Sequence, residues 1–428
     1  MNHKGRILAD RLVAVHMAIA FNGAARLLGA ILRRDHSVNT GNVKKIVVAK
    51  LIGMGSILQA TPLLKALKRR YPSAQIIFVT LKSNRALLDR IEGVDEAITL
   101  DDRSVFSMGF TTLRAIFHLM ALRADLYFDL EVYSAFASLL ALLAVTRNRI
   151  GFYRHSTAFK KGIYTHLVFF NTRMPIRTLY LQLGQVFGVP KGESELTGPI
   201  RIDDRDRQKI PSVLASASRW QSGQPYIVVN PNASDLLLER RWPVAHAVSA
   251  ITQLVSAGHQ VALIGAPNER AFVAGLYDEL PAEIRPRVAN TAGTLSLGEL
   301  CALIDGAACV LTNDTGPMHI SIALARHTVC LFGPANPEHY GQKLPYVRIF
   351  YSPVFCSPCL YEADEPPCNG NNICMQRLDP AQVAAAVEQF LESQRTGRQI
   401  ELSRRVDDLP IYTNAEDGEP LGVVVRTP

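Results

Sequence analysis

Short apolar runs alternating with helical periods organise most of the chain. Lys45-Ile46-Val47-Val48-Ala49-Lys50 predicts a strand buried on both faces, leading through Gly53-Met54-Gly55-Ser56 into a helix that reaches about Arg70. Ile76–Val79 predicts the next strand, followed by a helix near Arg85–Ile91. A longer helix near Leu113–Arg123 then precedes the strand Leu126–Leu130. A helix over Phe136–Leu143 and a strand at Arg149–Phe152 complete this half. The alternation weakens between about Gly192 and Gln224, a polar stretch with Pro199 and Pro211, and the domain junction is expected there. It restarts with strands at Tyr226–Asn230, Val261–Gly265, Cys309–Thr312 and Thr328–Phe332. Helices at Val244–Ala257, Glu269–Leu280, Leu297–Asp305 and Met318–Ala325 alternate with them, and a last helix covers Pro380–Glu392. Strand–helix alternation of this kind predicts parallel sheets covered by helices on both faces. The expected fold class is therefore α/β, with two Rossmann-like domains facing across a cleft. Their boundaries are 41–205 and 206–394, between an amphipathic helical segment at 1–40 and a loose polar tail at 395–428.

Composition agrees with large cores: 428 residues, 48% hydrophobic and 20% charged, suit two domains rather than one or a disordered chain. The net charge of +8 admits an acidic partner or a merely soluble basic surface. No run interleaves aromatic residues with Lys and Arg, so nucleic acid is not expected as a partner. The N-terminal segment from about Arg6 to Arg34 has an uncharged run, Leu12 to Ala25, of about 14 residues, short of the roughly 20 that span a bilayer. Two readings stay open for it, a basic helix lying in a membrane interface or a helix packed on the protein's own surface. No short apolar region ends in a small-residue cleavage site, so a reducing cytoplasmic location is expected, with peripheral contact at the membrane's inner face.

Two strand–turn–helix segments can carry chemistry. In Asn313-Asp314-Thr315-Gly316-Pro317-Met318-His319, Asp314 or Thr315 can cap the coming helix. Gly316 admits a close ligand, and the first-turn amides and helix dipole favour a diphosphate. His319 lies one turn along. An ordinary capped turn fits the same residues. The glycines Gly53 and Gly55 have similar geometry, but Leu58 stands where a dinucleotide fingerprint needs its third glycine. A nicotinamide-dependent oxidoreductase is disfavoured on that ground.

The chain resembles glycosyltransferase family 9, the lipopolysaccharide heptosyltransferase family of GT-B fold, over most of residues 44–390. The resemblance rests on Lys50–Pro62, Asp129-Leu130, Arg149–Phe152, Asn230–Ser234, Arg240–Pro243, Gly265–Glu269, Asn313–His319 and Leu331–Pro334, in that order. It implies transfer of a sugar, typically heptose from ADP-heptose, to a lipopolysaccharide-type acceptor. The donor would lie on the second domain, and catalysis would require no cofactor. By similarity Asp314, Thr315, Gly316 and His319 sit at the diphosphate, and Arg240 stands where a Lys often contacts phosphate. Glu269 suits a ribose hydroxyl, and Asn230 and Asn232 line the same crevice, Asn232 replacing a more usual Gly. The Gly53–Gly55 loop falls on the acceptor side.

One departure concerns catalysis. Family members commonly carry an Asp after the second glycine of the first loop, as the base of an inverting transfer, and here the residue is Ser56. A neutral hydroxyl is too weak a base. Asp129 or Glu131 can take the role, the acceptor can need little help, or the protein can bind sugar nucleotides without efficient transfer. The Cys-rich loop 354–375 adds Cys356-x₂-Cys359, Cys368 and Cys374, which fit a structural Zn²⁺, two disulfides or four unliganded thiols. Cys301, Cys309 and Cys330 read as small core hydrophobes.

Overall fold

Six runs in the first half of the chain extend as parallel strands: β1 (Lys45–Ala49), β2 (Gln75–Leu81), β3 (Glu96–Leu100), β4 (Leu126–Asp129), β5 (Asn148–Tyr153) and β6 (His166–Phe169). Their order across the sheet is β6-β5-β4-β1-β2-β3. The second half repeats the plan with β7 (Tyr226–Asn230), β8 (Gln260–Leu263), β9 (Val288–Asn290), β10 (Cys309–Asn313), β11 (Thr328–Phe332) and β12 (Val347–Tyr351), ordered β12-β11-β10-β7-β8-β9. Both are the doubly wound order, which reverses direction beside the first strand of each sheet. The computed structural model describes residues 14–32, 36, 41–194, 196–233, 237–363, 365–396 and 425–426.

The central strands are apolar on both faces because helices cover both. In the first sheet, Val47, Ala49, Ile77, Val79 and Tyr127 pack under the helices Val15–Leu32, Val105–Leu122 and Ala135–Leu143. On the second sheet the helices Val244–Ser256 and Pro380–Thr396 pack together, and the Trp242 indole N–H donates to the Leu378 carbonyl at 3.1 Å. Each fully buried Val, Leu or Ile contributes roughly 1.5–3 kcal/mol relative to exposure, so these layers hold the strand ends in place.

The chain divides into two units, one ending at Gly198 and including the strand Val425–Arg426, the other beginning at Pro199. The expected boundary at 205/206 falls instead inside the helix Asp204–Leu214, which packs on Leu297–Asp305 with a Lys209–Glu299 ion pair of 2.7 Å. Pro211 sits within that helix; the polar face and the proline concealed it in the sequence. The first long helix is two, Met54–Leu58 and Thr61–Arg70, the second opening on Pro62. Val105–Leu122 starts eight residues earlier than expected, capped by the Ser104 hydroxyl. The helix Val15–Leu32 buries Ala18 in the first core, with Ala14 just before it, so it does pack on the protein's own surface. Residues 1–13, 33–35 and 37–40 of the expected N-terminal segment, and 397–424 and 427–428 of the expected polar tail, lie outside the described residues. The last helix runs on through Thr396, and Val425–Arg426 pairs antiparallel with β6.

Candidate functional site

In each unit the residues singled out by sequence collect where the strand order reverses. In the first unit these are the ends of β1 and β4, hydrogen-bonded neighbours with Ala49 opposite Asp129. In the second they are the ends of β7 and β10, with Asn230 opposite Thr312. Strands leaving such a point carry their loops to opposite sides, which opens a crevice beyond their C-terminal ends.

At the first reversal point Gly53 adopts φ 95°, a left-handed conformation that a side chain disfavours, and so turns β1 into the helix Met54–Leu58. Gly55 lies inside that helix, its carbonyl accepting from the Gln59 amide at 2.9 Å. Ser56 is half-buried beside it. Glu131 braces the turn: one carboxylate oxygen accepts from the amides of Leu51 (2.8 Å) and Ile52 (3.1 Å), and the other pairs with Lys50 at 2.8 Å. Burial alone would push the Glu131 carboxyl up, but the Lys50 ammonium and the two amides outweigh it and hold it below its ordinary value.

Asp129 is placed differently. It is fully buried, accepts from the Tyr164 hydroxyl and the Glu131 amide (3.0 Å), and lies 3.6 Å from the equally buried Lys160. Burial raises its pKa, with Lys160 and Tyr164 opposing. A general base must reach the proton it removes, so the expectation that Asp129 acts as base meets an obstacle in this placement. Its geometry is that of a structural brace, since Lys160 also donates to the Glu131 carbonyl at 2.6 Å. Lys160 and Tyr164 had no signal in the sequence, because they lie far along the chain from Asp129 and meet it only in the fold.

At the second reversal point Asn230 Nδ2 donates to the hydroxyls of Thr312 (3.1 Å) and Thr315 (2.7 Å). Asn313 Nδ2 donates to the carbonyls of Pro231 and Asn232, both at 3.1 Å, locking the two loops together. The helix Gly316–Ala323 then begins with no side-chain cap. The expectation that Asp314 or Thr315 caps it is corrected here: Asn230 engages the Thr315 hydroxyl, and Asp314 turns toward basic groups. Arg240, itself buried, donates to the Asp314 carbonyl at 2.8 Å and lies 3.8 Å from its carboxylate, while His319 Nε2 lies 3.9 Å away. Burial raises the Asp314 pKa and Arg240 offsets part of the rise. Asn232 accepts from Arg241, and its buried Nδ2, like the buried Oδ1 of Asn313, has no hydrogen-bond partner among the described residues. Buried polar atoms left so are costly, and a polar ligand in the crevice would relieve that cost. Glu269 stands after β8, neighbour of β7, and accepts from the Ala266 amide at 2.7 Å.

In the Cys-rich loop the four thiols lie near one another, and Cys356, Cys359 and Cys368 all add to the rise in the Cys374 pKa. All seven cysteines are free thiols. Cys356, Cys359 and Cys368 are half-buried, whereas Cys374 is packed in the core on the helix Ile373–Gln376, where burial raises its thiol to about 11. Among the described residues no three His, Cys, Asp or Glu side chains are grouped to hold a metal ion. Cys301, Cys309 and Cys330 are buried, as small hydrophobes are.

Comparison with known proteins agrees with this architecture. The model of glycosyltransferase family 9 (heptosyltransferase) matches residues 118–368. Lipopolysaccharide heptosyltransferase 2 of Salmonella typhimurium is 27% identical over 302 residues, 69% of this chain and 84% of the relative. Lipopolysaccharide heptosyltransferase 3 of Escherichia coli is 26% identical over 368 residues, 81% of this chain and 99% of the relative. Among solved structures, a family 9 glycosyl transferase from Veillonella parvula superposes with TM-score 0.68 at 21% identity, covering 82% of this chain and 97% of that one. The E. coli ADP-heptose lipopolysaccharide heptosyltransferase II gives 0.66 at 21%, covering 82% and 99%. The family match spans more than half of the sequence and the paired doubly wound sheets are those of the GT-B fold, so this chain belongs to glycosyltransferase family 9 and is a glycosyltransferase.

Proposed function

We propose that this enzyme moves a heptosyl group from ADP-heptose to a lipopolysaccharide-core acceptor, with inversion at the anomeric carbon. The names of its relatives support the sugar and the acceptor class. The observation that carries the donor part is the uncapped N-terminus of Gly316–Ala323, kept open because Asn230 holds the Thr315 hydroxyl. A diphosphate there meets the Gly316 amide and the positive end of the helix dipole, Pro317 having no N–H and the Met318 amide donating to the Thr315 carbonyl at 3.2 Å. Arg240 fixes the loop through Asp314 and His319 stands beside it; on this reading Glu269, after its strand end, takes the ribose hydroxyl.

In the transfer, the acceptor oxygen forms a bond to the anomeric carbon as the bond to the diphosphate oxygen breaks, and ADP leaves. The acceptor's proton needs a base. On this reading Glu131 takes it, being ionised at neutral pH and in direct hydrogen-bond contact with the turn that leads to Ser56. Its depressed pKa makes it a weak base, which places its contribution at the low end, roughly 10²-fold. Asp129, Lys160 and Tyr164 keep it in position.

Calorimetric titration with ADP, GDP, UDP and dTDP, followed by transfer assays with the matching donor, tests the reading. ADP is expected to bind best, and Asn230→Ala to weaken it about tenfold by freeing Thr315 to cap the helix. Glu131→Gln is expected to lower kcat about 100-fold with ADP affinity unchanged. Preference for another nucleotide overturns the donor assignment. Tight ADP binding without transfer to any lipopolysaccharide acceptor favours a sugar-nucleotide-binding protein, the reading that Ser56 supports.

A further inference from the structure

The helix layer over one face of the first sheet has an outer side that nothing among the described residues covers. Val105–Leu122 turns Phe106, Phe110, Leu113, Phe117 and Met120 outward; the three phenylalanines are 84%, 62% and 68% exposed. Positions 106, 110, 113, 117 and 120 follow the helical repeat, so they form one stripe rather than scattered residues. The opposite side of the helix is committed to the protein. Ala115 and Leu119 are buried in the core, and the Thr111 hydroxyl accepts from the Asp101 amide at 3.0 Å. In the same layer Val15–Leu32, which packs beside Ala135–Leu143, exposes Met17, Ile19, Phe21, Leu27 and Ile31. Large apolar side chains exposed together in this way mark an interaction surface.

Charge identifies the partner. The helices Val15–Leu32, Val105–Leu122 and Ala135–Leu143 contain no Asp or Glu. Arg114 is exposed within the layer, and the exposed Arg123 and Arg147 follow the ends of two of its helices. The whole chain is net positive by +8. By length and composition Val105–Leu122 passes as a membrane-crossing helix. With 18 residues it is roughly 27 Å long, and its inner side is already in the core, so only its outer side can meet lipid.

We propose that this layer docks the enzyme on an anionic lipid bilayer, with the stripe Phe106–Phe110–Leu113–Phe117–Met120 seated among the acyl chains at the headgroup boundary and the arginines meeting lipid phosphate. Interfacial helices bind in this way, by apolar area plus attraction to anionic headgroups. The proposal stands on the surface alone and does not depend on the identity of donor or acceptor.

Co-sedimentation of the full-length chain with vesicles tests it, using phosphatidylcholine alone and phosphatidylcholine containing a quarter phosphatidylglycerol. Binding is expected to the anionic vesicles, to weaken with salt, and to fall about tenfold or more when Phe106, Phe110 and Phe117 are all replaced by Ser. A cooperative thermal melt with wild-type helical circular dichroism checks that the first unit of the triple variant, which carries the stripe, is folded. A second variant, Phe110→Trp, is expected to gain fluorescence over wild type that brominated acyl chains quench. Failure to bind anionic vesicles, equal binding by the triple variant, or unquenched added fluorescence in the Phe110→Trp variant overturns the proposal. So does a wild-type dimer that the triple variant turns into a monomer, since the stripe would then be covered by a second copy.

Discussion

Asp129 and Glu131 are two residues apart and ionise in opposite senses. Burial raises Asp129, whereas Lys50 and two amides lower Glu131 against the effect of its burial. The signs give different pH dependences. Glu131 contributes stability that is present above its ordinary value of 4.5 and is lost as pH falls through its lower folded value. Asp129 contributes in the reverse sense: its favourable part is present below its ordinary 3.8 and is lost as pH rises through the folded value. In thermal melts across the acid range, the advantage of wild type over Glu131→Gln is therefore expected to shrink as pH drops below 4.5. An advantage independent of pH would remove the Lys50–Glu131 pair as its cause. Asp129→Ala takes a counter-charge from the fully buried Lys160 and is expected to cost about 3–5 kcal/mol in urea unfolding. A pure catalytic base would lose activity with stability intact, so an unchanged midpoint would restore that role to Asp129.

Among elements, the strands legible in the sequence are the inner ones. The expected list has β1, β2, β4 and β5 in one half and β7, β8, β10 and β11 in the other. The four it lacks, β3, β6, β9 and β12, are the outer parallel strands of the two sheets. Inner strands are apolar on both faces and read as continuous runs. Outer ones are short or half-covered: β3 and β12 are mostly half-buried, β9 has three residues, and β6 opens on His166. A close approach on β5 was equally hidden. A methyl group on Gly151 would lie 2.8 Å from the ring of Tyr164, the residue that donates to Asp129. Gly151→Ala is expected to cost about 1–3 kcal/mol by overpacking. Gly109→Ala, on Val105–Leu122 with nothing within 4 Å of the added carbon, is expected to stabilise by about 0.5–1 kcal/mol. Equal effects of the two substitutions in urea unfolding would show that the Tyr164 approach is not limiting.

At the scale of the whole molecule, the chain carries two units with separate cores, and a ligand held by one of them need not stabilise the other. ADP at 100 times its Kd is expected to add about 2.7 kcal/mol to the unit that binds it. Hydrogen exchange should place the added protection around 226–232 and 309–323, leaving 45–58 unchanged. Protection confined to 45–58 would put the nucleotide on the first unit instead. The sequence by itself determined the α/β class, the inner strands, the family resemblance and the strand–turn–helix loop Asn313–His319. All of these depend on local apolar runs and on glycine and asparagine at fixed places along the chain. Only the tertiary structure decided that Asn230 holds Thr315 away from the helix end, and that Lys160 and Tyr164 enclose Asp129. It also decided that Cys374 belongs to the core and that the phenylalanines of Val105–Leu122 face outward. Each of these depends on residues distant in sequence meeting across strand register or helix packing, and local pattern carries no record of such meetings.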